Sequence, residues 1–219
     1  MSYNVIIEKI LKDITVSKGG KAVFTFGRMN PPTLGHEMLI SKVIEIGMTN
    51  NIESFIILSK KSDPKKNPIP YLDKITALDK ALPGVNFIDN ERIVNIFDAV
   101  QFLTSRGYKD LIMVCGSDRV DSYNTMFEPY KDHPEEEKRL GYNSLQVVSA
   151  GERDPDSDEI SGISGTKARK YVLDDDYESF KKILPTGMPA DQAQILFNDI
   201  KQNYKPAVPR KKKFKTQAS

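Results

Sequence analysis

The chain has 219 residues, 39% hydrophobic and 28% charged, so it is long and apolar enough to bury a core of its own. No apolar run approaches the roughly 18 residues that a membrane-spanning helix needs, and the N-terminus lacks the layout of a signal peptide. We therefore expect a cytoplasmic protein with no membrane contact. The single cysteine, Cys115, excludes an intrachain disulfide and a cysteine-rich structural zinc site.

The charge is distributed unevenly along the chain. The formal net charge is +2, but residues 205–219 carry six basic residues and no acidic residue, so the remainder is +2 minus 6, or −4. This composition predicts a disordered basic tail that keeps the protein soluble and makes at most weak contacts with nucleic acid. It argues against a nucleic-acid-binding surface on the rest of the chain.

The predicted elements alternate between helices and short apolar strands. In chain order they are a helix over 4–14, a turn over 17–21, a strand over 22–26, a helix from 34 to near Gly47, a strand over 54–58, a helix over 71–82, a strand over 85–88, a helix over 93–106, strands over 111–115 and 144–149, an acidic loop over 151–162, and helices over 164–173, 176–184 and 189–203.

This alternation is typical of a parallel sheet covered on both faces. We predict a Rossmann-like α/β fold with a parallel sheet of about five strands, helices on both faces and further helices at the C-terminus. One domain would span 1–204, with its core over about 22–175 and its C-terminal helices over about 176–204. In such sheets ligands bind at the carboxyl ends of the strands, near the point where the strand order reverses.

The first motif follows the first strand and opens a helix: Gly27-Arg-Met-Asn-Pro-Pro-Thr-Leu-Gly-His36. The two prolines stiffen the loop, and Gly35 lets the backbone approach a ligand. A helix N-terminus offers free N–H groups to phosphate. We expect His36, in the first turn, to donate to a phosphate oxygen. Thr33 could reach the same anion or simply cap the helix.

The second motif is Gly162-Ile-Ser-Gly-Thr-Lys-Ala-Arg169, at the start of another predicted helix. The hydroxyl groups of Ser164 and Thr166 can donate to phosphate, and Arg169 supplies a planar fork of donors one turn later. Lys167 adds a further positive charge. Taken alone, the same residues also fit an ordinary helix cap followed by a solvated basic face.

Together the two motifs resemble the signatures of the nucleotidyltransferase superfamily, G-x-F-x-P-x-H/T-x-G-H and I-S-S-T-x-x-R. The matching positions are Gly27, Pro31, Thr33, Gly35, His36, Ile163, Ser164, Thr166 and Arg169. Met29 replaces the usual Phe, and Gly165 replaces the second Ser. The first motif with the acidic loop also resembles nucleotidyltransferase-like proteins of tailed bacteriophages.

Two shorter segments extend the resemblance. Val114-Cys-Gly-Ser-Asp-Arg119 is similar to the G-x-D stretch that contacts the base or ribose in adenylyltransferases, although a plain strand-to-helix turn fits it nearly as well. The segment 67–74 resembles the P-L-S-x-x-x-R segment near the acceptor substrate. Asp154, Asp156 and Asp158 have the spacing of a calcium loop, but the required glycine and glutamate are missing, so we predict no protein metal site.

The resemblance implies transfer of a nucleoside monophosphate from ATP or CTP to a small phosphate-bearing acceptor, with Mg²⁺ bound to the triphosphate and pyrophosphate as the second product. The implied catalytic residues are Thr33, His36, Lys167 and Arg169. The implied nucleotide- and phosphate-binding residues are Gly27, Arg28, Met29, Asn30, Gly35, Gly116, Asp118, Arg119, Ile163, Ser164 and Thr166. The implied acceptor-binding residues are Pro68, Tyr71 and Lys74.

The branch of the superfamily stays open at this point. G-R-x-x-P-P is typical of nicotinamide mononucleotide adenylyltransferases and favours ATP and NAD synthesis, whereas G-I-S-x-T is typical of cytidylyltransferases; a phosphopantetheine-type adenylyltransferase is a further alternative. A non-catalytic nucleotide-binding or interaction protein on the same fold is the alternative outside the enzymes, supported by Thr33, Gly165 and the basic tail. Homo-oligomer formation also stays open.

Overall fold

The computed structural model describes residues 20–90, 92–151 and 163–205. These residues form five strands and seven α-helices, with short 3₁₀ turns at Ser117–Arg119 and Glu136–Lys138. In chain order the elements are β1 (Gly20–Gly27), α1 (Leu34–Asn50), β2 (Glu53–Leu58), α2 (Tyr71–Ala81), β3 (Phe87–Ile88), α3 (Ile96–Ser105), β4 (Tyr108–Cys115), α4 (Val120–Lys131), β5 (Ser144–Ser149), α5 (Gly165–Leu173), α6 (Tyr177–Lys182) and α7 (Ala190–Asn203).

The five strands form one sheet in the order β3-β2-β1-β4-β5, and every neighbouring pair is parallel. The predicted Rossmann-like α/β fold is therefore confirmed. β2 lies on one side of β1 and β4 on the other, so the strand order reverses between β1 and β4. Neighbouring connections leave the sheet in opposite directions there, which opens a crevice at the carboxyl ends of these two strands.

Alternate residues of the strands pack on opposite faces of the sheet. Phe24 of β1 belongs to the apolar cluster that contains Val100 and Leu103 of α3, whereas Val23 belongs to the cluster that contains Ile40 and Val43 of α1. All six side chains are at most 1% exposed. Burying a side chain of this size contributes roughly 1.5–3 kcal/mol, so helix packing on both faces fixes the strand ends that carry the motifs.

The C-terminal helices form a third apolar cluster. Ala168 of α5, Phe180 of α6, and Leu196 and Phe197 of α7 pack together, and this cluster also includes Ala77 of α2. The rings of Phe180 and Phe197 meet edge to face, with their centroids 5.4 Å apart. This packing attaches the second motif, which opens α5, to the helix that follows β2.

Several predicted boundaries are wrong. β1 begins at Gly20, inside the predicted turn over 17–21, and β3 has only two residues, Phe87 and Ile88. α3 begins at Ile96 rather than at 93, because the Asn95 side chain accepts the backbone N–H groups of Phe97 and Asp98 and ends the preceding loop. α4 was not predicted at all.

Some predictions fall on parts of the chain that the structure does not describe. These are the helix over 4–14, most of the turn over 17–21, the acidic loop with its spaced aspartates, Gly162 and the tail beyond Lys205. Among the described residues, no helix is both long enough and apolar enough to cross a membrane.

Candidate active site

A cleft of about 260 Å³ lies at the carboxyl ends of β1 and β4, where the strand order reverses. Three segments with predicted site residues meet there: the loop from β1 into α1, the turn after β4, and the start of α5. The predicted site residues that line the cleft are Gly27, Arg28, Met29, Asn30, Thr33, Gly35, His36, Gly116, Arg119, Ile163, Ser164, Thr166 and Arg169. The fold thus brings residues of both motifs to one cavity.

Five predicted site residues do not line the cleft. Asp118 and Lys167 are sequence neighbours of lining residues, and the Asp118 carboxylate lies 3.9 Å from Nε of Arg119. Pro68, Tyr71 and Lys74, predicted for the acceptor, lie outside the cavity. Burial raises the pKa of the Tyr71 phenol, with a further contribution from Asp89, so this hydroxyl stays protonated over the usual pH range.

The remaining lining residues were not predicted as site residues. They are Thr25, Phe26, Met38, Leu39, Lys66, Cys115, Tyr123, Ala150, Gly151 and Gly165. Cys115 and Gly165 lie within the quoted motifs, but the other eight lie outside them, and their place in the cleft depends on how the elements pack. Cys115 is 4% exposed, and burial raises the pKa of its thiol to about 11, so it is a poor nucleophile.

His36 and Thr33 form a local pair at the start of α1. Thr33 is the N-cap; its backbone N–H donates to Nδ1 of His36 at 3.1 Å, and its Oγ1 lies 2.9 Å from the same nitrogen. Because Nδ1 accepts the N–H, the neutral imidazole carries its proton on Nε2. Thr33 is completely buried, and these contacts orient the His36 ring at the start of α1.

Positive charge dominates the cleft. Four lining side chains are cations, those of Arg28, Lys66, Arg119 and Arg169, and none of the described lining residues is acidic. The N-termini of α1 and α5 border the same cavity, and Ser164 caps α5 by accepting the N–H of Lys167 at 3.2 Å. Helix N-termini and surrounding cations both favour an anion, so the cleft suits a ligand with several negative charges.

Lys74 is buried behind the cleft. Its side chain is 2% exposed, and Nζ donates to the backbone carbonyls of Arg28 at 2.9 Å and Ser59 at 2.8 Å. Burial away from water lowers its pKa to about 8. With these contacts made inside the protein, Lys74 stabilises the loops behind the cleft and does not reach into the cavity.

Arg169 lines the cleft, and its two terminal nitrogens donate to groups within the protein, whereas its buried Nε has no hydrogen-bond partner. Nη1 donates to the carbonyls of Asn30 at 2.7 Å and Lys66 at 3.3 Å, and Nη2 donates to Oγ1 of Thr166 at 3.1 Å. The Tyr204 ring lies 5.6 Å from the guanidinium carbon. Burial lowers the pKa of Arg169, and Tyr204 partly offsets this shift.

Comparison with models of known protein families and with curated proteins gave no match. Among the described residues, no group of three or more His, Cys, Asp or Glu side chains could hold a metal ion. The geometry and charge of the cleft are therefore the basis for a functional proposal.

Proposed function

We propose that this protein is a nucleotidyltransferase that transfers a nucleoside monophosphate from ATP or CTP to a phosphate-bearing acceptor and releases pyrophosphate. The observation that carries the proposal is the convergence of two motifs, far apart in sequence, on one cationic cleft bordered by two helix N-termini. Each motif alone has an ordinary structural explanation. A common anion site at the reversal of the strand order explains both.

The reaction needs positioning and charge neutralisation more than covalent help from the protein. An acceptor phosphate oxygen attacks the α-phosphorus in line, the bond to the β-phosphate oxygen breaks, and pyrophosphate leaves. Nε2–H of His36 would donate to the α-phosphate, where negative charge develops. Ser164, Thr166 and the N-terminus of α5 would hold the departing pyrophosphate, with Arg28 as a neighbouring cation.

Mg²⁺ fits this arrangement only when it is bound by the phosphate oxygens of the triphosphate. The described lining of the cleft contains no carboxylate to coordinate it, and Mg²⁺ in such sites commonly uses phosphate oxygens and water. When bound, the ion would neutralise phosphate charge, which the chain's own cations and helix N-termini also do.

Among the possible reactions, we favour adenylyl transfer from ATP to nicotinamide mononucleotide, as in NAD synthesis. The support is the G-R-x-x-P-P spacing of residues 27–32. Phe26 and Tyr123 also line the cleft and offer aromatic faces to a planar base. Cytidylyl transfer and phosphopantetheine adenylylation remain the alternatives within this reaction class.

A non-catalytic nucleotide-binding protein is the second candidate, and one observation favours it. The guanidinium of Arg169, which the superfamily signature would direct at phosphate, donates instead to two backbone carbonyls. A chain that had lost catalysis could retain the cleft for binding alone.

The test is pyrophosphate release by the full-length protein, with ATP or CTP offered against nicotinamide mononucleotide, phosphopantetheine, glycerol phosphate and choline phosphate in turn. We expect release only with ATP plus nicotinamide mononucleotide, in a one-to-one ratio with the dinucleotide detected by mass spectrometry. ATP binding in calorimetry without turnover on any acceptor would support the binding protein. If neither ATP nor CTP binds, both candidates are wrong.

A further inference from the structure

Two buried cations bridge the same pair of loops. The first loop, residues 28–33, connects β1 to α1, and the second loop, residues 59–70, connects β2 to α2. Lys74 donates to Arg28 O in the first loop and to Ser59 O in the second. Arg169 donates to Asn30 O in the first loop and to Lys66 O in the second. Each cation therefore joins one backbone carbonyl of each loop.

A third contact lies between these two. The Asn30 side chain donates to Ile69 O at 2.9 Å and accepts the Ile69 N–H at 3.1 Å, and Asn30 is 5% exposed. Buried hydrogen bonds of this kind are costly to break, because a broken pair leaves desolvated polar groups. The two loops are therefore joined through Lys74, Arg169 and Asn30, and residues of both, such as Arg28 and Lys66, line the cleft.

Arg169 is tightly packed where it stands. A Cβ added to Gly165 would lie 3.2 Å from both Nη1 of Arg169 and the carbonyl oxygen of Asn30. A serine at position 165 would therefore require Arg169 and the first loop to shift by a few tenths of an ångström. For Arg169 to grip a phosphate instead, Nη1 would have to leave two carbonyls in a site where only 8% of the residue is exposed.

The two residues that follow α7 contact Arg169 and the second loop. Tyr204 follows α7 and places its ring beside Arg169, and the next backbone N–H, that of Lys205, donates to Pro64 O in the second loop at 2.8 Å. The C-terminal end of α7 is therefore bound both to Arg169 and to one of the loops that Arg169 joins.

We infer that Arg169 is a positioning residue of the cleft and not a phosphate ligand: Arg169 and Lys74 clamp the first loop to the second, and Tyr204 holds Arg169 in place. This inference rests on the proposed function only for the identity of the ligand. The clamp itself is a property of the free protein. The inference predicts that loss of the clamp weakens the binding of every molecule that contacts the loops. If Arg169 bound phosphate directly, its loss would weaken the binding of the triphosphate and pyrophosphate alone.

Hydrogen exchange of the free protein tests the clamp without any ligand. In Arg169→Lys and in Tyr204→Leu, backbone amides of the second loop, above all Ile69, should exchange roughly tenfold faster than in the wild type, since their opening requires fewer bonds to break. Tyr177→Leu is the matched control, because Tyr177 is also half-buried on the α5–α7 cluster but does not contact Arg169. Unchanged exchange in both clamp variants would overturn the inference.

Exchange of the wild type with and without inorganic pyrophosphate separates the two roles of Arg169. A clamp should keep or increase protection of the second loop when pyrophosphate binds. Faster exchange there on binding would show that Arg169 leaves its carbonyls for the ligand and would overturn the inference. If pyrophosphate does not bind at all, the proposed function loses support, while the free-protein experiment still decides on the clamp.

A double-mutant cycle tests whether Tyr204 acts through Arg169. Tyr204→Leu should raise the Kd for ATP by up to roughly tenfold, the loss of about one net hydrogen bond, with little change in Tm, and should add nothing in the Arg169→Lys background. A merely structural tyrosine would lower Tm and leave the affinity of the folded protein unchanged. Additive effects, or a loss confined to the triphosphate with the acceptor KM unaffected, would contradict the clamp.

Discussion

The two ring nitrogens of His36 have different roles. Nδ1 accepts the Thr33 N–H and completes the cap of α1, while the proton on Nε2 is the donor that our mechanism uses. The two roles can be separated, because the Asn side chain places a polar atom near the Nδ1 position and the Gln side chain places one near the Nε2 position.

We predict that His36→Ala lowers kcat by roughly 10²–10³, the usual loss when one donor to developing charge is removed, with a smaller change in triphosphate affinity. His36→Gln should recover part of this loss, and His36→Asn should keep the Tm but not the activity. His133→Ala is the control, since His133 is the other histidine and lies outside the cleft. Near wild-type turnover of His36→Ala would show that the residue only caps the helix.

The burial of Lys74 should make the free energy of unfolding depend on pH. Its folded-state pKa of about 8 lies below the ordinary value of 10.5 because burial disfavours the ammonium. Between these two values the unfolded chain binds more protons, so the stability contribution rises with pH; it is complete above about 10.5 and is lost as the pH falls towards 8.

The measurement is the free energy of unfolding by urea between pH 7.5 and 10, for the wild type and for Lys74→Met. Their difference should grow with pH by up to about 1.4 kcal/mol per unit. Subtracting the variant also removes the opposing contribution of Cys115, whose pKa burial raises. Lys65→Met, an exposed lysine in the second loop, is the control and should leave the slope as it is in the wild type. A flat difference for Lys74→Met would mean that water reaches Lys74.

Among the elements, α1 illustrates how packing overrides a local signal. Gly47 predicts a helix end, yet α1 continues to Asn50 and stops where Asn51 adopts the left-handed conformation, with φ of 51°, and donates its N–H to the carbonyls of the last turn. Gly47 is inside the helix because β2 lies close to it: a Cβ there would lie 1.9 Å from Ser54 Oγ and 3.1 Å from Ile52 O.

We therefore predict that Gly47→Ala destabilises the protein, although alanine is the better helix former by about 1 kcal/mol. The Ser54 hydroxyl can rotate away, but the Ile52 backbone cannot, and overpacking of this kind costs about 1–3 kcal/mol. The change in Tm checks the sign. Gly27→Ala is the matched control, because a Cβ there meets only the Met29 side chain at an ordinary 3.5 Å. An increase in Tm for Gly47→Ala would show that α1 and β2 can separate freely.

For the whole molecule, the last described residues matter more than the basic tail composition suggests. The Lys205 N–H donates to Pro64 O, so the first residue of the predicted tail contacts the second loop. Residues 206–219 contain few apolar side chains, and we predict that a chain ending at Lys205 keeps the Tm and the ATP affinity of the full-length protein.

Thermal unfolding and calorimetry of the two lengths measure this prediction. A chain ending at Asn203, which also loses Tyr204, is the informative comparison, because it removes the contact with Arg169 and should weaken ATP binding. A large drop in Tm for the chain ending at Lys205 would show that residues 206–219 pack on the core.

The amino-acid sequence alone was enough to predict those features that depend on neighbouring residues. The alternation of apolar strands and helices predicts the parallel sheet, β5 over 144–149 is predicted residue for residue, and the capping residue Ser164 marks the start of α5. Such features follow from side-chain periodicity and capping, which act within one or two turns of chain.

The tertiary structure alone decided which residues meet across long sequence distances. Lys74 is of a residue type that often binds ligands, but it is buried between two loops. Arg169 donates to the backbone carbonyls of Asn30 and Lys66, and no motif predicts these contacts. Lys66 and Cys115 enter the cleft through the order of the strands. These contacts depend on how the elements pack in three dimensions. Because every residue has a backbone carbonyl, the sequence does not indicate which carbonyls accept a hydrogen bond from a given side chain.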